Sequence, residues 1–327
     1  MDTLSTHKVE VLRLGKIGKH PNADNLSITT IFSGYPCIIR TGDFRPGDLV
    51  AYVPPDSLVD TARPEFAFLA KDAKADGKAR IRARKLRGIP SMGLLLPAPA
   101  GAIEGWDVAT YFGVEHYEPP LRCHMGGEES PPPPGYRPGY DVDTLRRYAD
   151  VFLPGELVWV TEKIHGTCAR FCFSGGEVYA GSRRVWWKPN AANVWWQALA
   201  KHPEVEQFIR AHPDVTVYAE VYGQVQNLRY GISDGARIVV FDLLCDGRWL
   251  DPEPARIVGS GLPWVPWIGT FPFNLDEILA RADGPSYMPY ANHHREGIVV
   301  KPLHERTNQV IGRVQLKAVG QTYMEAR

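Results

Sequence analysis

Hydrophobic and polar positions divide the chain into two stretches of different rhythm. Toward the N-terminus, short apolar or alternating runs at His7 to Gly15, Leu26 to Phe32, Pro36 to Ile39 and Leu49 to Val53 are separated by Gly, Pro, Asn and Asp. Brief alternation bounded by turn formers predicts short strands, and several at this spacing predict a small barrel or sandwich. The run Gly88 to Leu96 returns as turn and strand, and Gly105 to Gly113 predicts a short helix. Between Glu118 and Gly139 the rhythm stops. Pro119-Pro120, Gly126-Gly127 and Pro131 through Pro134 favour extended polyproline backbone, as a semi-rigid linker or a surface strap. The expected organisation is a module over residues 1–117, a linker over 118–140 and a second domain over 141–327.

From Asp141 onward the pattern predicts interleaved helices and strands. Val142 to Asp150 reads as a helix, Leu157 to Val160 and Ala169 to Phe173 as strands around a turn at Gly166, and Glu177 to Gly181 as another strand. Asn190 to Ala200 and Pro203 to Ala211 read as helices with Trp195 and Trp196 turned inward. Val215 to Tyr222 and Arg237 to Leu244 then read as strands, Asn274 to Ala282 as a helix, and Gly297 to Val300 and Gln309 to Lys317 as strands. Several strands adjoin without a crossover helix, which predicts antiparallel α+β sheets instead of a doubly wound fold. No G-x-G-x-x-G or Walker A loop is present, so neither nucleotide fold is expected.

Composition narrows the setting. At 327 residues, 44% apolar and 23% charged, the chain is long enough for two domains with separate cores. No apolar run approaches the ~18 residues of a membrane span, and no basic-then-apolar leader is visible, so a cytoplasmic location is expected. Five cysteines at scattered positions predict free thiols, and none of them, Cys123 beside His124 included, has zinc-site spacing. Charges balance at 37 basic and 37 acidic residues, which leaves a local nucleic-acid groove open. The basic run from Lys71 to Arg87 is such a candidate. Arg80, Arg82 and Arg84 alternate with Ile81 and Ala83, so on a strand they would share one face, with Lys85 and Arg87 close by, and track phosphates.

Chemistry concentrates at Thr161-Glu162-Lys163-Ile164-His165-Gly166-Thr167. A lysine at the end of a buried strand lies in a low-dielectric wall. Desolvation and nearby cations are expected to lower its pKa and expose the lone pair of a nucleophilic amine. Downstream, Ser182-Arg183, Tyr218-Ala219-Glu220-Val221-Tyr222-Gly223, Val239-Val240-Phe241-Asp242, Arg295-Glu296-Gly297-Ile298-Val299-Val300-Lys301 and Gln315-Leu316-Lys317 follow in order. With the lysine element, these resemble the covalent nucleotidyltransferase superfamily of DNA ligases, RNA ligases and capping enzymes.

That resemblance implies roles. Lys163 would attack the ATP α-phosphate and carry AMP as a phosphoramidate. Lys301 and Lys317 would neutralise the phosphate and keep Lys163 deprotonated, and Phe241 would stack on adenine. Glu162, His165 and Gly166 would belong to the nucleotide site, with Arg183 and Glu220 holding ribose and phosphate. Glu296 and Asp242 would bind or support Mg²⁺ or Mn²⁺.

His165 stands where DNA ligases and capping enzymes have aspartate, and K-x-H-G-T resembles nick-sealing and editing RNA ligases. Gln315 replaces the first lysine of K-x-K, with Lys301 or Arg313 as the candidate compensation. Lys16 to Ser27 resembles the OB-fold module of tRNA-binding proteins, and only ten residues follow Lys317. An OB-like barrel in front of an α+β adenylylation domain resembles the group of RNA ligases with an N-terminal OB domain. The resemblance implies an ATP-dependent, monomeric RNA ligase that joins 3′-OH and 5′-phosphate ends, preferably at nicks in duplex RNA or an RNA–DNA hybrid. A capping guanylyltransferase, a DNA ligase, or an RNA-binding protein with a decayed catalytic domain stand as alternatives.

Overall fold

The structure, a computed structural model, describes residues 7–117 and 127–326, so Cys123 and His124 lie outside the described residues. The chain divides into two compact units, residues 4–120 and 121–327.

The first unit is built almost wholly of short antiparallel strands. Glu10–Arg13, Leu49–Val53 and Leu94–Pro97 form one sheet, and Ile17–Lys19, Leu26–Ile31 and Tyr35–Arg40 a second. The central strand Leu49–Val53 is buried along most of its length because both of its faces are covered. Ala51 and Val53 pack with Val9, Val59 and Phe66, and Val50 and Tyr52 pack with Ile31 and Ile39. The segment Lys16 to Ser27 serves this fold directly. His20 is fully buried with its Nε2 3.2 Å from the Leu86 carbonyl, and Asn22 donates to the Arg87 carbonyl at 3.0 Å. These two residues fasten the hairpin of Arg84–Leu86 and Ile89–Ser91.

In the second unit two largely antiparallel sheets carry the site. The seven-stranded sheet runs Glu129–Ser130, Trp186–Trp187, Glu177–Gly181, Thr167–Ser174, Val215–Gly223, Ala236–Cys245, Arg248–Trp249. The five-stranded sheet runs Asp143–Thr144, Leu316–Val319, Gly297–Pro302, Leu157–Lys163, Trp267–Pro272, with only its first pair parallel. Period-two alternation gives each sheet one apolar face for its helices and one face for chemistry. On the larger sheet Ala169, Phe171, Val217, Ala219 and Val221 pack under helices Val194–Ala200 and Pro203–Ala211, with Trp195 fully buried and Trp196 packed at the margin. On the smaller, Val158, Val160, Ile298, Val300, Leu316 and Ala318 pack with Ile278 of the helix Leu275–Ala280. The residues between them, Lys163, Lys301 and Lys317, take the opposite face.

The proline-rich stretch, from Gly127 on, lies along this unit as a strap. Glu129 and Ser130 add an edge strand beside Trp186 and Trp187. Further along, Arg137 donates to Thr216, and the buried Arg170 donates to the Arg137 carbonyl at 2.9 Å. Tyr140 at its end is buried against Tyr218 and Phe241. Strands Trp267–Pro272 and Trp186–Trp187 and helices Pro252–Val258 and Gln321–Ala326 had no signal in the pattern.

Candidate active site

Lys163 is the last residue of the strand Leu157–Lys163, half-buried, with Nζ 2.8 Å from Glu296 Oε2. Glu296 precedes the neighbouring strand, whose Gly297 is the register partner of Lys163, so pairing alone brings acid and amine together. After Lys163 the chain turns sharply to enter Thr167–Ser174 on the other sheet. Gly166 permits this: a Cβ there would lie 2.2 Å from the Val221 carbonyl oxygen. The approach also lets the Gly166 amide donate to Glu220, on the strand beside it. Gly297 meets the same demand, since a Cβ would lie 2.1 Å from the Ala318 carbonyl oxygen.

His165 is fixed from several sides. Its amide donates to the Tyr230 hydroxyl at 2.7 Å, and its ring lies 3.0 Å from Asn227 Oδ1, 3.3 Å from the Tyr323 hydroxyl and 3.4 Å from Glu296. Sequence reasoning missed Asn227, Tyr230 and Tyr323. Each is an isolated polar residue in a turn or short helix, and only the tertiary fold brings it to His165.

The electrostatics depart from expectation at the nucleophile. Burial pulls the Lys163 pKa down, but the carboxylates of Glu296 and Glu220 outweigh it, and the net shift is upward. The expected lowering is therefore corrected: here Lys163 is an ammonium in an acidic cage. Burial would raise Glu296, yet Lys163 and His165 hold it at about 2. Glu220 goes the other way, raised to about 8 by burial, against Lys163 and reinforced by Glu296. Lys317, on the same face as Lys163, is lowered by burial and then by Lys163 itself. Two carboxyl groups thus flank one amine, and burial, the larger effect, raises the second against the attraction of Lys163.

A second cluster gathers residues expected in the site. Asp242 is 1% exposed; its carboxylate pairs with Lys301 Nζ at 2.6 Å and with Arg313 Nη1 at 2.9 Å, and accepts from the Tyr140 hydroxyl. Arg313 also pairs with Glu305, and Lys301 donates to the Phe241 carbonyl. The Asp242 oxygens are thus engaged by two cations and a hydroxyl, and Lys301 is tied to Asp242. The pair joins one sheet to the other, as a staple. Gln315 lies in this cluster, with Oε1 2.6 Å from the Tyr140 hydroxyl and Nε2 donating to the Asp141 carbonyl. Neither Lys301 nor Arg313 is a free replacement for the missing lysine.

Glu162 faces away from Lys163, as strand alternation requires, and is 1% exposed. Its carboxylate accepts from Ser286 Oγ at 2.5 Å and the Tyr287 amide at 2.7 Å, so it anchors a loop. Burial raises its pKa against those two donors. Phe241 is half-buried against Tyr140, ring centroids 4.5 Å apart. Arg183 pairs with Asp141 at 3.3 Å, and both act on the Cys168 thiol, whose register partner is Glu220.

In the first unit the expected arginine face is broken. Lys78–Arg80 and Arg84–Leu86 belong to different sheets, and between them Ile81 is buried with its amide bound to Ser57. Arg80 bonds Asp56 and lies 4.1 Å over the Tyr117 ring, while Arg84 pairs with Asp72 at 2.7 Å. Local acids thus neutralise two of the three guanidiniums. Arg82, Lys85 and Arg87 are exposed.

Comparisons with known proteins agree with this architecture. Residues 8–98 match the model of an OB-fold domain, so the first unit is an OB fold ahead of a sheet-rich α+β domain. A search of curated proteins finds no match. Among solved structures, Naegleria gruberi RNA ligase with PPi is similar at 24% identity and a TM-score of 0.84, over 98% of each chain. A lysine-to-alanine variant of that ligase with ATP and Mn is similar at 23% identity and a TM-score of 0.85, again over 98% of each chain. A glutamate-to-alanine variant with AMP and Mn gives 23% and 0.85, over 98% of this chain and 99% of that one. At such identities the likeness establishes the fold. The family itself is established by sequence: residues 156–319, which span Lys163, Glu220, Glu296 and Lys317, match the model of the RNA ligase family, and the chain belongs to that family.

Proposed function

We propose that the protein is an ATP-dependent RNA ligase that joins a 3′-OH end to a 5′-phosphate end through lysyl-AMP and RNA-adenylate intermediates. The observation that carries the reading is Lys163 at a strand end, 2.8 Å from Glu296, in a cage that also holds Glu220, His165 and Lys317. Once neutral, the Lys163 amine attacks the α-phosphorus of ATP; the new N–P bond forms as the P–O bond to pyrophosphate breaks. Lys317, on the same face, offsets charge on the phosphate. The AMP then passes to the RNA 5′-phosphate, and attack by the 3′-OH releases AMP and leaves a phosphodiester. Such steps depend on positioning and charge neutralisation, which this rigid cage supplies.

A divalent cation fits the same place. Glu296 and Glu220 would hold it, as the two carboxyl groups that flank the Lys163 amine. When bound, Mg²⁺ or Mn²⁺ would withdraw charge from the phosphoryl oxygens. Its presence would also relieve the field of the two carboxylates, which is what holds the proton on Lys163. We assign Arg183, Phe241, His165 and Gly166 to the nucleotide site. We read residues 1–117 as a nucleic-acid-binding module with Arg82, Lys85 and Arg87 as its exposed cations, 118–140 as the connection and 141–327 as the adenylylation domain. The preferred substrate in this reading is a nicked duplex. The protein works as a monomer in the cytoplasm; among the described residues no helix is long and apolar enough to cross a membrane.

The test is incubation with α-³²P-ATP and a divalent cation beside a Lys163→Ala control, followed by a denaturing gel and by sealing of nicked duplexes with RNA or DNA 3′ ends. Label on the wild type alone and RNA sealing are expected. Label from GTP only would move the assignment to a capping enzyme. Equal sealing of DNA 3′ ends would point to a DNA ligase, and no label at all to a binding protein.

A further inference from the structure

We propose that Tyr290 forms a stacking platform for an RNA base flanking the strand break, at the tip of a turn fastened beside the nucleophile. The inference rests on the RNA ligase reading and specifies where that site meets RNA.

Two turns meet next to Lys163. One runs through Asn227, Arg229, Tyr230 and Gly231, and the other through Ser286, Tyr287, Met288, Tyr290 and Ala291. Both are bound to the lysine element. Tyr230 receives the His165 amide at 2.7 Å, and Glu162 accepts from Ser286 and the Tyr287 amide. Met288 is buried with Ile164, the residue after Lys163, and Ala291 packs against the same cluster, while the Ala291 amide closes the turn onto the Met288 carbonyl at 3.2 Å. Tyr290 lies between these two feet and is 87% exposed.

Its backbone is held in an unfavourable conformation. Tyr290 has φ 66, the left-handed region that a bulky residue rarely takes. Opposite it, Tyr230 has φ 53 and Gly231 φ 72, and a Cβ on Gly231 would lie 2.7 Å from the Tyr290 Cβ. The two turns interlock, backbone against backbone. Strain maintained by close packing, ending in a large aromatic ring in water, has no use for the core. It is the cost of aiming that ring outward.

Composition names the occupant. Gly223 to Gly231 and Gly284 to Arg295 contain no aspartate or glutamate, but they contain Arg229, His293, His294 and Arg295, with amides and two further tyrosines, Tyr230 and Tyr287. Arg295 lies 4.9 Å over the Tyr287 ring, and Tyr287 is itself 59% exposed. Exposed aromatics with an arginine over one of them are what nucleobases and phosphates require, since every base offers a π face.

The experiment compares wild type, Tyr290→Ala and Tyr290→Trp for covalent labelling by α-³²P-ATP and for KM in sealing nicked duplex RNA. Wild type and both variants should label alike. Tyr290→Ala should raise the RNA KM about tenfold, the loss of one base–aromatic stack, and Tyr290→Trp should restore it. A parallel measurement places 2-aminopurine on either side of the nick and follows its fluorescence on binding without ATP. Quenching from one side, lost in Tyr290→Ala and kept in Tyr290→Trp, is expected. An unchanged KM for Tyr290→Ala, or no quenching that depends on Tyr290, would overturn the proposal. If the wild type labels but seals no RNA, the underlying reading fails, and the fluorescence arm still decides whether Tyr290 stacks on a base.

Discussion

Two charged clusters on the facing sheets use nearly the same residue types and do opposite things. Around Lys163, the carboxyls of Glu296 and Glu220 compete for one amine; the lysine side chain is 24% exposed and Glu220 is raised to about 8. Around Asp242, Lys301, Arg313, Glu305 and Tyr140 satisfy one another in a sealed environment. The Asp242 carboxyl is held below its ordinary range, because Arg313 and Lys301 overcome the effect of burial. The difference teaches that a charge set open to solvent at its edge is a place for a ligand, whereas a set paired out of solvent is a joint. Lysine plus acid does not by itself define a reactive site.

The sharpest break of this comparison is removal of each cluster's central charge. Lys163→Ala should abolish covalent AMP labelling outright while leaving melting temperature within a few degrees, because Lys163 lies outside the apolar core of its sheet. Asp242→Asn should do the reverse. It leaves Lys301 and Arg313 buried without their anion, which costs about 3–5 kcal/mol, read as a fall in the chemical-denaturation midpoint. The pH dependence carries a definite sign. A carboxyl depressed on folding contributes stability above its unfolded value near 3.8 and loses it as pH falls through the lower folded value. Wild-type stability should therefore drop on acidification below about pH 4, and the Asn variant should lack that part of the slope. An equal acid slope in both would remove Asp242 from the joint.

These outcomes also mark what the sequence could disclose. Strand positions were readable, since short β-rich runs bounded by turn formers mark Leu49–Val53, Glu177–Gly181 and Val215–Gly223, and the order of lysine, glutamate and lysine elements disclosed the family. The partners of Glu162, Asp242 and Lys301 within the fold were not. Each lies in a recognisable element, but which face it takes, and whether another chain segment has already satisfied it, is decided by long-range pairing. Glu162 illustrates this: one residue from the nucleophile, it serves a loop more than a hundred residues away, Ser286 and Tyr287. The arginine run failed similarly, because its alternation was real but its strand ended at Arg80.

A smaller effect tests whether the reactive cluster depends on backbone proximity. Gly166→Ala places a Cβ 2.2 Å from the Val221 carbonyl oxygen and 3.0 Å from Glu220 Cγ. The turn must move, at a cost of about 1–3 kcal/mol, and Glu220 moves with it. Labelling should slow by more than the loss of stability explains, with the joint untouched. Normal labelling in a destabilised Gly166→Ala protein would show that Glu220 need not be held at that turn.

The smallest effect belongs to Gln315, and it decides to which cluster the residue belongs. The Tyr140 hydroxyl has one proton and two acceptors in reach, Asp242 and Gln315 Oε1. Without the glutamine, that proton goes wholly to the carboxylate, which is the stronger acceptor. The other bond, from Gln315 Nε2 to the Asp141 carbonyl at 3.0 Å, ends on an exposed residue where water can replace the donor. Gln315→Leu should accordingly cost only about 1 kcal/mol in a denaturant titration and leave the ATP dependence of labelling as in the wild type. A rise in the ATP concentration for half-maximal labelling, at unchanged stability, would instead give Gln315 to the reactive cluster, where the lysine it replaces would have met the phosphate. The bond to Tyr140 favours the first result, because it spends the amide oxygen inside the joint.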